Sequence, residues 1–347
     1  MKRRHLRPVA PPLRWGIPST GRIAGIFAQG LRASKTGVLA AVASRSPDPA
    51  LRFAKEHQVP RSYGTYEALL RDPWVEAVYI APPHPFHAAW AIRALKAGKH
   101  VLCEKPLTMD RRDSVRVVGT ARRHRRFLME AFMYRCHPQT QKIVELVRKG
   151  ILGEVRFIQA SFCFDAPLDP KNRLFDPKLG GGGILDVGCY PVSMARLLAG
   201  AAAGRPFLEP LEIRGSGIIG KRSGVDEMAL ANLKFPGGIL AELSCATQAD
   251  RGHSMVKIDG TKASLTVPSP WFAQWHGGTS YLLLRKKGSE KVKKIPVPCD
   301  RGLYTVEADE VARCVRKGLR ESPAMPWADT LGNMMVLDAW QKAVRRT

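Results

Sequence analysis

Acidic residues are scarce in this chain: 30 Asp and Glu stand against 55 Lys and Arg, a formal charge of +25. Zinc and disulfide patterns are missing as well. The seven cysteines form no CxxC pair and no Cys/His cluster, which argues against a metal site or a disulfide framework and leaves most of them as small core residues. No apolar run approaches the ~20 residues that a membrane-crossing helix needs. The basic excess would suit a nucleic-acid partner, but no zinc-finger spacing or RNA-binding aromatic pattern accompanies it. The one dense run, "RRHRR" at 122–126, reads as a solvated helix end or the loop after it. A nucleic-acid binder is therefore disfavoured against an enzyme with an arginine-rich surface.

The start of the chain also lacks something. Arg3-Arg4 would suit a twin-arginine export signal, yet prolines follow where the apolar stretch should be. Residues 1–12 are expected to be a disordered basic tail and the protein to be cytoplasmic. What remains is 347 residues, 45% of them hydrophobic, enough for two domains with their own cores.

Up to about residue 132, strands and helices alternate. "RWGIP", "GVLAAVA", "EAVYIA", "HVLCE" and "RFLMEA" are short apolar runs. "GRIAGIFAQGLRAS", "PALRFAKEHQV", "HAAWAIRALKAGK" and "DRRDSVRVVGTARRH" carry helical spacing. Such alternation predicts βαβ units and a parallel sheet, with ligands beyond the carboxyl ends of the strands. After about residue 150 the pattern changes. "EVRFIQASFCFD", "LEIRGSGIIG", "MALANLKF", "GILAELSCAT", "HSMVKIDGTKASLTV" and "SYLLLRKK" are strand-like and separated by Gly, Asp and Pro turns. The change of pattern puts the expected boundaries at 13–132 for the βαβ domain and 133–347 for the second domain.

The first turn, Ser19-Thr20-Gly21-Arg22-Ile23-Ala24, is a G-x-G-x-x-A motif with serine in place of the first glycine. It presents backbone N–H groups and a helix N-terminus to a pyrophosphate. The second strand ends in Ala43-Ser44-Arg45, without the acidic residue that would bind a ribose 2′-hydroxyl. Ser44 and Arg45 offer a donor and a cation, which favours NADP over NAD. Ala81, Pro82, Pro83 and His87, after the fourth strand, are expected to line the cofactor pocket.

These segments, with "GKHVLCEKPLT", "EAFMYRCHPQ", "GGGGILDVGCYPV", "GVDEMALANLKFPGGILAEL" and "ESPAMPWADTLGNMMVLDAW", resemble the Gfo/Idh/MocA oxidoreductase family over nearly the whole chain. The nearest branch holds dimeric dihydrodiol dehydrogenase, xylose dehydrogenase and glucose–fructose oxidoreductase. The resemblance implies an α/β fold: an N-terminal Rossmann domain and a C-terminal α/β domain with a large, mostly antiparallel open sheet. It also implies a homodimer or higher homo-oligomer built on that sheet.

The resemblance makes Lys105, after the fifth strand and ahead of Pro106, the catalytic lysine, with a cis peptide bond between them. Glu104 is a local partner or a structural carboxylate, and Glu104 and Lys105 are also expected among the cofactor-binding residues. Asp186 and Tyr190 follow the glycine run four residues apart. Many relatives carry histidine where this chain has Tyr190, and tyrosine selects the dihydrodiol and glucose–fructose branch. Tyr190 is then the general base for alcohol oxidation, and the Lys105 ammonium is expected to lower its pKa. Asp186 either orients a substrate hydroxyl or caps the helix. Arg135 and His137 are candidates for the substrate cleft, and Arg173 for cofactor or substrate. No metal is expected. The function implied is hydride transfer between NADP(H) and a sugar or a cyclic trans-diol. A sugar transhydrogenase with bound cofactor and a non-catalytic cofactor-binding regulator or scaffold are the alternatives.

Overall fold

The computed structural model describes residues 11–169, 171–249 and 254–346; the first ten residues of the expected basic tail lie outside it. β1 (Leu13–Pro18), β2 (Gly37–Ala43), β4 (Ala77–Ile80), β5 (His100–Glu104) and β6 (Leu128–Ala131) form where the apolar runs lie, and a three-residue β3 (Arg61–Tyr63) adds an edge. All neighbouring pairs run parallel, in the order β3-β2-β1-β4-β5-β6. The crossovers run through α1 (Arg22–Arg32), α2 (Pro47–His57), α3 (Tyr66–Arg71), α4 (His87–Lys96) and α5 (Arg111–Arg123). Strand order reverses between β1 and β4, and in such sheets the ligand crevice lies at that point, beyond the carboxyl ends of the strands. Trp15, Phe27 and Tyr79 fill one face of the sheet, with Phe27 stacked on Tyr79 at 3.9 Å; Val78, Val101 and Leu95 fill the other.

The chain then passes through α6 (Met133–Cys136) and α7 (Pro138–Arg148) into the second sheet: β7 (Val155–Cys163), β8 (Glu212–Ile219), β9 (Asp226–Phe235), β10 (Ile239–Ala246), β11 (Val256–Gly260), β12 (Ala263–Val267), β13 (Gly278–Lys286) and β14 (Val292–Cys299). The order is β14-β13-β12-β11-β7-β10-β9-β8, antiparallel except for β7 against β10. β9 shows why one face is covered: Ala229, Ala231, Leu233 and Phe235 are buried, while Met228, Leu230, Asn232 and Lys234 between them are exposed. Between β7 and β8, a π-helical turn, Ile184–Gly188, leads into α8 (Cys189–Ala202), which packs on β7 and β10. An 18-residue window within residues 177–202 is apolar enough by composition to cross a membrane, but that window is wholly buried in the fold and belongs to its core.

The last two helices, α9 (Leu303–Arg316) and α10 (Trp327–Val344), return to the first sheet. Thr305 donates to Gly30 O of α1 at 2.8 Å, and Trp327 Nε1 to Leu128 O of β6 at 2.9 Å. The main chain of Leu128 also donates to Arg320 O, which helps cover the β6 edge. A boundary drawn at residue 132 therefore separates the two sheets but not the packing.

Candidate active site

β5 ends at Glu104 and leaves Lys105 on the rim of the crevice; the Lys105–Pro106 peptide is cis. Lys105 Nζ donates to the main-chain O of Asp186 at 2.8 Å and lies 3.7 Å from its Oδ1. Arg173 Nη2 donates to the same Oδ1 at 2.9 Å. Burial opposes the charge on Asp186, but Lys105 and Arg173 overcome it and hold the carboxyl well below the usual range. Asp186 is thus an ionised anchor between two cations. It does not supply the cap on the helix N-terminus that was its alternative role.

Tyr190 faces the other side of the lysine. The ammonium lies 5.3 Å from the centre of its ring, within reach of the π face. The phenol itself points to Met133, whose Sδ accepts at 3.6 Å. Phe132, Tyr134, Phe162 and Trp271 surround the ring at 5.1–5.6 Å. That aromatic box corrects an expectation. Burial, then Tyr304 and Glu104, pushes the Tyr190 pKa well above its ordinary value, so in this state the nearby ammonium does not lower it. Glu104 lies behind the site: it accepts from Tyr79 Oη and from the Lys105 N–H, and burial raises its pKa.

The cofactor side is built from the first turn. Ser19 Oγ accepts from the Gly21 N–H at 3.3 Å, and Thr20 Oγ1 lies 3.5 Å from Ser44 Oγ, joining the turn to the end of β2. Gly21 caps α1. A Cβ there would meet only Ser19 Oγ, at 3.6 Å, so the protein's own packing does not demand glycine. The free space lies outward, where a pyrophosphate would approach the helix N-terminus, and the turn fits a dinucleotide. Arg22 is exposed and Ile23 packs against the core; Ser44 is buried and Arg45 exposed at the rim of the sheet. Ala81, Pro82 and Pro83 follow β4 beside this turn, and Ser19 Oγ donates to Ala81 O at 3.4 Å.

Three expected site residues make contacts within the protein's own frame. His87 is 1% exposed, with Nδ1 and Nε2 each 2.8 Å from a carbonyl oxygen, those of Pro106 and Pro82. Burial lowers its pKa to about 4. The neutral ring has one N–H and serves one of these carbonyls at a time. It is a strut behind Lys105-Pro106 rather than pocket lining. Arg135 is consumed inside the protein: its guanidinium donates to Ala324 O at 3.0 Å, to Ser193 Oγ at 2.8 Å and to Asp329 at 2.6 Å. Each of its three nitrogens is engaged, and it ties helices together. His137 caps α7, its Nδ1 accepting from the Gln139 N–H at 3.1 Å, and burial lowers its pKa to about 4.

Sequence reasoning missed His84. It follows Pro83 on the β4 loop, donates Nδ1–H to Gly180 O at 3.2 Å and brings Nε2 within 4.0 Å of Asp186 Oδ1. That last contact is not an ion pair at neutral pH, because burial and then His87 hold the His84 pKa to about 3. A histidine one turn before His87 at a strand end was the available signal. Size alone does not mark the site: a wide cleft of about 780 Å³ elsewhere includes Arg135 but none of Lys105, Asp186 and Tyr190.

A Rossmann crevice with a strand-end lysine, facing a mixed-sheet domain that supplies its partners, defines an NAD(P)-binding oxidoreductase. Residues 13–132 match the oxidoreductase family with an NAD-binding Rossmann fold, and residues 140–266 match the GFO/IDH/MocA C-terminal domain. The chain belongs to the Gfo/Idh/MocA oxidoreductase family. It is 36% identical over 346 residues to an uncharacterized oxidoreductase, ORF334, of Rhizobium meliloti, which covers 96% of this chain and 97% of the relative. It is 34% identical over 340 residues to the trans-1,2-dihydrobenzene-1,2-diol dehydrogenase of Danio rerio, with 96% and 97% covered. Among solved structures it is similar to KijD10, a 3-ketoreductase from Actinomadura kijaniata in complex with NADP and TDP-benzene, at 28% identity and a TM-score of 0.83, covering 96% and 98% of the two chains. An aldose-aldose oxidoreductase from Caulobacter crescentus, at 24% identity and a TM-score of 0.85 over 96% and 98%, shares the fold.

Proposed function

We propose that the protein is an NADP(H)-dependent oxidoreductase that interconverts a secondary alcohol and a carbonyl of a sugar or cyclic trans-diol, with Lys105 and Tyr190 as its acid–base pair. The observation that carries this reading is the Lys105 ammonium, anchored on Asp186 and resting against the Tyr190 ring at the mouth of the crevice. When bound, the nicotinamide supplies or accepts the hydride. The rest falls to the chain. Tyr190 is neutral because it is buried, so its Oη holds the proton that a developing alkoxide takes up. Its present acceptor, the Met133 thioether, is a weak one, and little is lost when the phenol turns to a substrate oxygen. Lys105 stabilises the oxygen that carries negative charge in either direction, and Asp186 with Arg173 keeps the ammonium in place. The dihydrodiol dehydrogenase relative and the NADP-bound ketoreductase support both the alcohol–carbonyl chemistry and the cofactor. Purified protein screened with aldoses, ketoses and trans-diols, with NADPH absorbance as the signal, tests the reading. No turnover across all three classes would remove it.

Cofactor choice rests on Arg45 and on the absence of an acid at the end of β2. Arg45→Ala is expected to weaken NADP binding by about 10- to 150-fold, the value of a charge-assisted phosphate contact of roughly 1.5–3 kcal/mol, and to leave NAD binding nearly unchanged. Titration of both cofactors into both proteins checks this; equal NAD and NADP affinity in the wild type would overturn it.

The outer face of the second sheet carries an apolar patch. Ile218 is 60% exposed and stands opposite Met228 in the β8–β9 register; Leu230 and Leu240 are each about half exposed on the neighbouring strands. A homo-oligomer, most simply a dimer, would bury this face. Light scattering at micromolar protein and physiological salt is expected to give at least twice the chain mass, and a monomer would contradict it.

A further inference from the structure

The chemistry proposed for Lys105 leaves one buried carboxylate beside the glycine run unexplained. Asp226 opens β9 and is 7% exposed. Its Oδ2 accepts from the Ile184 N–H at 2.6 Å. Its Oδ1 lies against Gly182, where an added Cβ would come within 2.3 Å of it and within 2.9 Å of Cγ. Gly182 has φ +108°, so it answers two demands: a backbone angle that disfavours other residues, and room for a carboxylate. Ile184 is the first residue of the π-helical turn, and Asp186 is two residues further on. The run is also tied on its other side, where the Gly182 N–H donates to Leu174 O at 2.9 Å and Gly180 O accepts from His84.

We propose that Asp226 is a positioning residue for Lys105: by clamping the Ile184 N–H and filling the space left by Gly182, it sets the place of the Asp186 carbonyl that holds the ammonium. This rests on the reading of Lys105 as a catalytic group, but the placement itself is measurable without turnover. π-helical turns are rare because their backbone geometry is unfavourable, and one at a site needs outside support. Asp226 supplies that support from a different strand. Burial raises its pKa to about 6, opposed by its hydrogen bond to Ile184 and by Arg345. From outside it faces a cleft of about 450 Å³ that Asp338, Lys342 and Arg345 also line.

The test compares Asp226→Ala, which removes the clamp, with Asp226→Asn, which keeps an oxygen for Ile184. Trace acetylation with peptide mapping reads the reactivity of Lys105 directly, with exposed Lys35 as the internal reference. In Asp226→Ala, Lys105 is expected to react about tenfold faster as the carbonyl that engages its ammonium shifts; Asp226→Asn should restore most of the wild-type rate. With an active substrate, kcat should fall about 10²-fold in Asp226→Ala while cofactor affinity holds, since a misplacement of about 1 Å costs that much. In a Lys105→Ala background the same substitution should add almost nothing. If Asp226→Ala does not fold, Asp226→Ser, too short to reach Ile184, takes its place with the same expectations. Unchanged Lys105 labelling in a folded, cofactor-binding variant overturns the proposal. Altered labelling in a protein that turns over no substrate would instead remove the enzymatic reading and leave the positioning role standing.

Discussion

Tyr190→Phe is expected to lower turnover by about 10²–10⁴-fold with cofactor affinity preserved, because it removes one proton-transferring oxygen and keeps the ring. The ring matters to the fold. It sits among Phe132, Tyr134, Phe162 and Trp271, and phenylalanine preserves each of those contacts. Lys105→Met should cost a similar amount, and the double variant little more than either, since in the proposed mechanism the two groups act as one unit. The pH dependence follows from the direction of the Tyr190 shift. A phenol whose pKa is raised by burial stays protonated from pH 6 to 9. Reduction, which needs the proton on Oη, should therefore be nearly flat over that range. Oxidation needs the phenolate and should rise about tenfold per pH unit, without a plateau below the ordinary tyrosine value of about 10. Steady-state kinetics in both directions checks the sign. A plateau in oxidation near pH 8 would mean that substrate or cofactor reverses the effect of burial. Near-normal turnover in Tyr190→Phe would exclude the tyrosine.

Asp329→Ala is expected to cost about 3–5 kcal/mol of stability, the usual result of removing one partner from a buried ion pair. The first turn of α10 carries Asp329, which is fully buried and pairs with two guanidinium groups, Arg135 of α6 and Arg196 of α8. Arg196 also reaches Glu209, at 2.6 Å. The substitution would leave two buried cations and one remaining carboxylate, and would loosen three helices at once. Urea unfolding followed by tryptophan fluorescence measures it; a loss under 1 kcal/mol would mean that water replaces the carboxylate. The companion variant Arg135→Met separates the structural role of Arg135 from the substrate role expected of it. It should lower stability and leave KM unchanged. Full stability with a raised KM would return Arg135 to the substrate cleft.

Much of the architecture was legible because it depends on short-range pattern. β1, β2, β4, β5 and β6 are apolar runs set between helical periods, and Lys105 is placed on the rim simply by following the last residue of a buried strand. The alternation along β9 is likewise written in one residue and the next. β3 and β14 carry no such signal: three residues hold no period, and lysines and prolines interrupt the apolar positions of β14. Lys293, Lys294, Pro296 and Pro298 are tolerated there because β14 is an edge strand, with one side needing no partner.

The residue types of the site came from the sequence, and their states from the tertiary structure. Lysine after β5 and tyrosine after the glycine run could be named from the sequence through the family resemblance, and their pairing as acid and base is the proposal made above. Whether the phenol is acidic or held neutral depends on aromatic rings from α6, β7 and the loop after β12, all distant in the chain. Arg135 looks like a cleft residue until α8 and α10 enclose it, and His87 until its ring meets the Pro82 and Pro106 carbonyls. Periodicity reports which side of an element is buried. Charge state, hydrogen-bond partners and the direction of a pKa shift are sums over neighbours brought from elsewhere in the chain, and only the folded arrangement contains them.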